Sequence, residues 1–133
     1  MTRYTADGVA MVRYLLDDLP PAADDVFTRA EAGLDTVEAP TVTVSEAIWA
    51  AAEKGSGRVA STETTSDDVL AGLVTDGPVR IAPTDRDDLA VFGSLVDHHT
   101  LHDALIIANH RVRETEAILT NDAEFAGEST VWR

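Results

Sequence analysis

Residues 102–125 read HDALIIANHRVRETEAILTNDAEF. Ile106, Ile107 and His110 recur near one face of a helix that the spacing predicts over Asp103–Glu114. Ala117–Thr120 is short and apolar, and Asn121-Asp122 follows, so it reads as a strand that stops at a turn. One carboxylate, Asp103, therefore opens a helix, and a second, Asp122, closes a strand.

Outward from this stretch, strand-like and helix-like segments alternate along the whole chain. Arg3–Ala6 is a short strand, and Val9, Val12, Leu15 and Leu16 then recur at helical spacing. Pro20-Pro21 breaks that helix, and Pro21 starts the next, over Ala22–Ala32, which Gly33 ends. A β-branched run over Thr36–Val44 predicts the second strand, with Ser45 as N-cap of a helix over Glu46–Glu53. Gly55-Ser56-Gly57 is expected to be a loop between helices. Ser66, Asp67 and Asp68 start a helix through Val74, stopped by Gly77-Pro78. Val79–Ala82 is a third strand, and Asp85–Val96 a helix with Leu89, Phe92, Leu95 and Val96 on one face. Val131-Trp132 is a short fifth strand after Ala117–Thr120. Strands separated by helices imply βαβ crossovers. The expectation is one domain over residues 1–133: a three-layer α/β/α sandwich around a mainly parallel sheet of four or five strands.

Composition narrows the function classes. The chain has no Cys, which excludes disulfides, thiolate catalysis and Cys-based zinc sites. Its apolar runs are too short to span a membrane, and its N-terminus lacks a secretory cleavage pattern, so the expected compartment is the cytoplasm. Twenty-four Asp and Glu stand against ten Lys and Arg, a net charge of -14, and Lys54 is the one lysine. Acids are spread as pairs, such as Asp17-Asp18 and Asp87-Asp88, and not gathered in a tail. That pattern looks like adaptation to a salt-rich cytoplasm, where the screening length falls to about 3 Å near 1 M salt. A mesophilic acidic protein with a basic partner is the alternative.

Ligands of parallel α/β sheets sit beyond the carboxyl ends of the strands. Asp7 follows the first strand, Glu46 the second and Asp122 the fourth, while Asp103 lies at a helix start. Singly, each has an ordinary explanation. Asp7 and Asp103 would serve as helix caps, Asp122 as an Asx-turn, and Glu46 as a favourable charge in a first turn. Together on one edge they would repel and raise one another's pKa, a cost that a divalent cation removes. Carboxylate and water oxygens suit Mg²⁺ or Mn²⁺, ions that assist displacement at a phosphodiester.

Three stretches carry a family resemblance: YTADGVAMVRYLL (4–16), TVSEAIWAA (43–51) and residues 102–125. They resemble the opening strand, Asp and helix, the acid-bearing helix, and the Asp-Ala-Leu-Ile helix with Thr-x-Asp-x-x-Phe of PIN-domain ribonucleases, the fold of VapC-type toxins. The resemblance covers nearly the whole chain. It implies that Asp7, Glu46, Asp103 and Asp122 form the family's acidic quartet, holding one or two Mg²⁺ or Mn²⁺ ions for RNA cleavage. It further implies a homodimer and a cognate antitoxin as partners. Glu124 is a substitute for Asp122 in this reading, and Asn121 a residue that orients water. Gly8 departs from the family, which commonly has Ser or Thr after its first Asp. The missing hydroxyl removes a hydrogen bond near the metal.

Other features have plainer readings. His98, His99 and His102 have spacing for a transition metal if helical, though loop or surface histidines are the commoner case. Arg3, Arg13, Arg58, Arg111 and Arg113 are the cations available to phosphate, without an evident patch. Trp49, on the helix of Glu46, reads as core or interface packing before base stacking. A receiver domain would want a Lys after a late strand, and a haloacid-dehalogenase-like phosphatase an Asp-x-Asp after the first strand, where Asp7-Gly8-Val9 stands instead; neither is present. No Walker loop, Gly-x-Gly-x-x-Gly or Gly-x-Ser-x-Gly occurs. The rival readings are a catalytically inactive PIN-like binding module and a housekeeping RNA-processing nuclease.

Overall fold

The computed structural model describes residues 1–53 and 65–133, and of Ala52 and Glu53 only the backbone. Five strands form one parallel sheet: β1 (Thr2–Ala6), β2 (Asp35–Pro40), β3 (Val79–Ala82), β4 (Ile118–Leu119) and β5 (Thr130–Val131). Their order is β3-β2-β1-β4-β5, with β1 in the middle. Helices α1 (Gly8–Leu15), α2 (Pro21–Glu31), α3 (Thr41–Ile48), α4 (Ser66–Leu70), α5 (Arg86–Gly93) and α6 (Leu101–Arg113) connect them. The expected class, an α/β fold with a mainly parallel central sheet of up to five strands, is the one observed.

Strand alternation separates two cores. Ala6, Val37, Ala39 and Leu119 face one side, where Met11, Phe27, Val44, Ala47 and Leu73 cover them. Ile118 faces the other, packed with Ile106, Ile107, Leu95 and Phe125. Thr5 and Glu38 also escape the first core, and both meet residues at the C-terminal end of α6. The Thr5 and Thr115 hydroxyls share a hydrogen bond of 2.8 Å, and Thr115 Oγ1 lies 2.6 Å from His110 Nδ1. Glu38, almost fully buried, accepts from Arg113 Nε and Nη2, with Arg3 Nη1 at 3.7 Å.

The largest correction concerns the second strand. It ends at Pro40, and Thr41–Val44 are helical, although all four favour strands by type. Burial decides: Thr43, Val44, Ala47 and Ala51 recur at helical spacing and are all buried. Ser45 is consequently inside α3, donating from Oγ to the Thr41 carbonyl at 2.9 Å, and is not its cap. Glu46 lies in the second turn of α3, not directly after a strand. From Trp49 to Glu53 the helix widens to a π-helical turn. A second π turn, Ala71–Thr75, continues α4, which Thr65 caps reciprocally with Asp68.

Two helix bounds also move. α5 ends at Gly93, so Leu95 packs from the following turn while Leu89 and Val96 remain exposed. α6 starts at Leu101 because Thr100 is its cap, its hydroxyl accepting from Asp103 N at 3.4 Å. Lys54, Arg58 and the Gly55-Ser56-Gly57 loop lie outside the described residues.

Gly77 packs against the end of the second π turn. A Cβ there would stand 2.1 Å from the Gly72 carbonyl oxygen and 2.5 Å from that of Leu73, both rigid backbone. Gly77→Ala is expected to lower stability by about 2–3 kcal/mol, read as a shift in urea midpoint without a change in slope.

Candidate active site

The chain runs from β1 to β2 to β3 in one direction and then crosses to β4 on the other side of β1. The strand order therefore switches between β1 and β4, the place where open α/β sheets leave a crevice beyond their carboxyl ends. Ala6 pairs in register with Leu119. The residues one step further on, Asp7 and Thr120, consequently stand side by side at the mouth of that crevice.

Asp7 has two jobs. Its Oδ1 accepts from Ala10 N at 2.8 Å, capping α1, and its Oδ2 accepts from Thr120 Oγ1 at 2.5 Å. Thr120 Oγ1 also accepts from Asp122 N at 3.0 Å, which ties the two acid-bearing loops together. Asp7 is 5% exposed. Burial pushes its carboxyl above the ordinary range; the Thr120 and Ala10 hydrogen bonds pull it down, and the charges of Asp122 and Asp103 push it up again. Asp122 is exposed and caps the short 3-10 turn Ala123–Phe125, its Oδ1 accepting from Glu124 N at 2.9 Å. Asp103, half-buried, sits in the first turn of α6, where the helix N-terminus favours negative charge.

Glu46 approaches from α3, beside Gly8. Its Oε2 lies 3.0 Å from His102 Nδ1. Burial raises its pKa, the neighbouring His102 lowers it and Asp103 raises it, leaving it above the usual carboxylate range. The four acids thus form a chain of electrostatic contacts: Asp122 and Asp103 act on Asp7, and Asp103 acts on Glu46. Among the described residues, no three His, Asp or Glu side chains stand close enough, as placed, to share one metal ion. The donor set still fits a hard divalent cation in its chemistry, with carboxylate oxygens throughout and a buried, mutually repelled Asp7 at its centre. Closing it on an ion requires side-chain rotation, with Glu46 turning away from His102.

Sequence reasoning missed Thr120 and the His102–Glu46 pair. Thr120 had a visible signal: a hydroxyl two residues before the acid at the end of a strand that neighbours β1. It supplies to Asp7 the hydrogen bond that Gly8 cannot. Gly8 itself is not demanded by packing, since an added Cβ would meet Glu46 Cβ and the Thr43 carbonyl at an ordinary 4.0 Å.

Of the cations proposed for phosphate, the four among the described residues are engaged elsewhere. Arg3 and Arg113 hold Glu38, Arg13 holds Asp18 and lies 5.2 Å over the Trp132 ring, and Arg111 holds Glu128. His99 Nδ1 is buried without a hydrogen-bond partner among the described residues, beside an apolar hollow of about 200 Å³ lined by Phe92, Val96 and Leu101.

No protein-family model matches the chain, and no curated protein does. Solved structures do match. A chain of VapBC2 from Rickettsia felis, crystallised bound to a DNA fragment from their promoter, superposes with a TM-score of 0.70 at 12% identity, covering 99% of this chain and 100% of that one. VapC20 of Mycobacterium tuberculosis, a sarcin-ricin loop cleaving toxin, superposes with a TM-score of 0.69 at 15% identity, covering 98% and 99%. Over nearly its whole length, then, the chain has the PIN-like α/β fold of the VapC structures.

Proposed function

We propose that this protein is a metal-dependent endoribonuclease, the toxin of a type II toxin–antitoxin pair. The observation that carries the proposal is Asp7: a buried carboxylate at the strand-order switch, pressed by the charges of Asp103 and Asp122. Structural proteins have little use for such an arrangement, because it costs stability unless a cation answers it. The fold shared with a toxin that cleaves the sarcin-ricin loop supports RNA as substrate, and the VapBC2 complex supports a cognate antitoxin. A homodimer is part of the same reading.

Asp7, Glu46, Asp103 and Asp122 would hold Mg²⁺ or Mn²⁺. When bound, the ion polarises the scissile phosphate and makes water a better nucleophile at neutral pH. The Thr120 hydroxyl and the Ala10 N–H, one on each oxygen, fix the rotamer of Asp7. The first turn of α6 sets Asp103 against Glu46. Exposed Asp122, with Glu124 as its substitute, would take a proton or orient water, and Asn121 lies next to it. His102 Nδ1 stands 3.0 Å from Glu46 Oε2, a contact that a bound cation would replace. We read the acidic surface as adaptation to high salt.

The purified protein, in molar KCl with Mn²⁺, should cleave structured RNA, and EDTA should stop it. Mn²⁺ at about a hundred times its Kd should stabilise the fold by about 2–3 kcal/mol, raising Tm by about 5 °C or more. The pH dependence follows from Asp7. Its folded pKa is raised, so without metal its contribution to stability improves as pH falls through that value. The cation needs the ionised form, so the Mn²⁺-induced rise should be full at neutral pH and shrink over the same acid range. Calorimetry with and without Mn²⁺ from neutral to acid pH measures both. A second reading, an inert PIN-like module, is favoured by the missing hydroxyl at Gly8 and by the arginines tied to carboxylates. Absence of any metal-induced shift would select it.

A further inference from the structure

Thr5, Thr115 and His110 come from β1, from the turn after α6 and from α6 itself, and all three are buried. Glu114 turns left-handed at the end of α6, with φ 53°, and folds Thr115 back onto the helix. The Thr115 N–H then donates to the His110 carbonyl at 3.2 Å, while its hydroxyl lies 2.6 Å from His110 Nδ1 and 2.8 Å from the Thr5 hydroxyl. The row stands on the seam between β1 and β4. Beside it, Thr5 N donates to the Ala117 carbonyl at 3.0 Å, and Glu116 N to that of Arg3 at 2.7 Å. Two residues past Thr5, the same strand delivers Asp7 to the crevice.

Each hydroxyl has one proton to give. With Nδ1 unprotonated, Thr5 donates to Thr115 and Thr115 donates to the ring, so every proton in the row has an acceptor. A proton on Nδ1 reverses the row. The ring then donates to Thr115, Thr115 donates to Thr5, and the Thr5 proton is left over. Among the described residues Thr115 is the one side-chain partner of the Thr5 hydroxyl, and Thr5 is fully buried. A buried donor without an acceptor weakens the fold.

We propose that the Thr5–Thr115–His110 row is a pH-sensitive clasp on the β1–β4 seam, closed while the His110 ring is neutral and loosened when the ring takes a proton. The clasp does not depend on the ribonuclease reading. Two charges act on the ring and pair with each other: Arg111 on α6, and Glu128 from the segment before β5. Arg3 on β1, Glu38 on β2 and Arg113 on α6 engage one another, and Asp88 on α5 holds Asn109. Burial disfavours the charged ring, Glu128 favours it and Arg111 disfavours it, which leaves the group below the ordinary histidine range. The folded ring thus resists the proton more than the unfolded chain does. The clasp contributes in full above that range, and its contribution is lost as pH falls through it.

In molar KCl with EDTA, proton–nitrogen NMR at neutral pH should place the His110 ring proton on Nε2. Between about pH 8 and about pH 5, the exchange protection of the Glu116 amide should fall about tenfold more in the parent than in His110→Gln, whose side-chain oxygen accepts from Thr115 without titrating. The folding equilibrium constant from urea denaturation should show the same excess loss. Asp7 titrates in both proteins, so the difference between them belongs to His110. A ring proton on Nδ1 at neutral pH, or equal acid responses of parent and variant, would overturn the clasp. If His110→Gln does not fold, the parent decides: Glu116 protection that holds while the ring takes its proton would overturn it too.

Discussion

Asp103→Asn should reduce metal-dependent RNA cleavage by about a thousandfold or more, the loss of roughly 4 kcal/mol of transition-state stabilisation. The fold should not suffer. The Asp103 side chain is half-buried, and the helix start is secured through its backbone N–H by Thr100. Its charge acts unfavourably on both Asp7 and Glu46, so its neutralisation should leave the metal-free Tm unchanged or slightly higher. The Mn²⁺-induced rise in Tm should fall sharply at the same time. An inactive variant at least as stable as the parent separates a metal-holding role from a structural one. Cleavage that survives both the substitution and EDTA would instead indicate a contaminating nuclease.

Arg113→Ala is expected to cost about 3 kcal/mol of stability. The Glu38 side chain is 4% exposed and sits in the middle of the sheet's face under α6, so truncation of Arg113 strands a buried charge. Partial exposure of Arg113, at 37%, and the nearby Arg3 keep the loss at the low end of what breaking a buried pair costs. Replacing both partners, as Glu38→Leu with Arg113→Met, should recover most of it, because matched apolar groups leave nothing unpaired. Chemical denaturation of the two single variants and the double variant closes the cycle. A Glu38→Leu/Arg113→Met protein as unstable as Arg113→Ala would show that packing, not charge, is at stake.

The sheet class and the segments around Asp7, Asp103 and Asp122 were legible in the sequence because short apolar runs there end at turn residues. The α3 boundary was not. Thr41–Val44 carries strand propensity, and only the depth at which Thr43 and Val44 are buried makes it helical. Thr100 was overlooked as a cap because Asp103 looked like one, although Thr100 lies three residues earlier and its hydroxyl reaches the same N–H. The pairings of His102 with Glu46 and of Arg113 with Glu38 join residues far apart in the chain, which no local periodicity reports. The engagement of the arginines belongs to the same class: composition counts cations but not the partners that hold them.

The bond between Thr120 and Asp7 spans 113 residues. A nascent polypeptide therefore carries Asp7 and Glu46 for most of its synthesis, and Asp103 toward its end, without the hydroxyl that fixes Asp7 or the carboxylate that follows it. If the quartet is the working centre, the chain is harmless to the ribosome that makes it until the β4 loop has emerged and docked against β1.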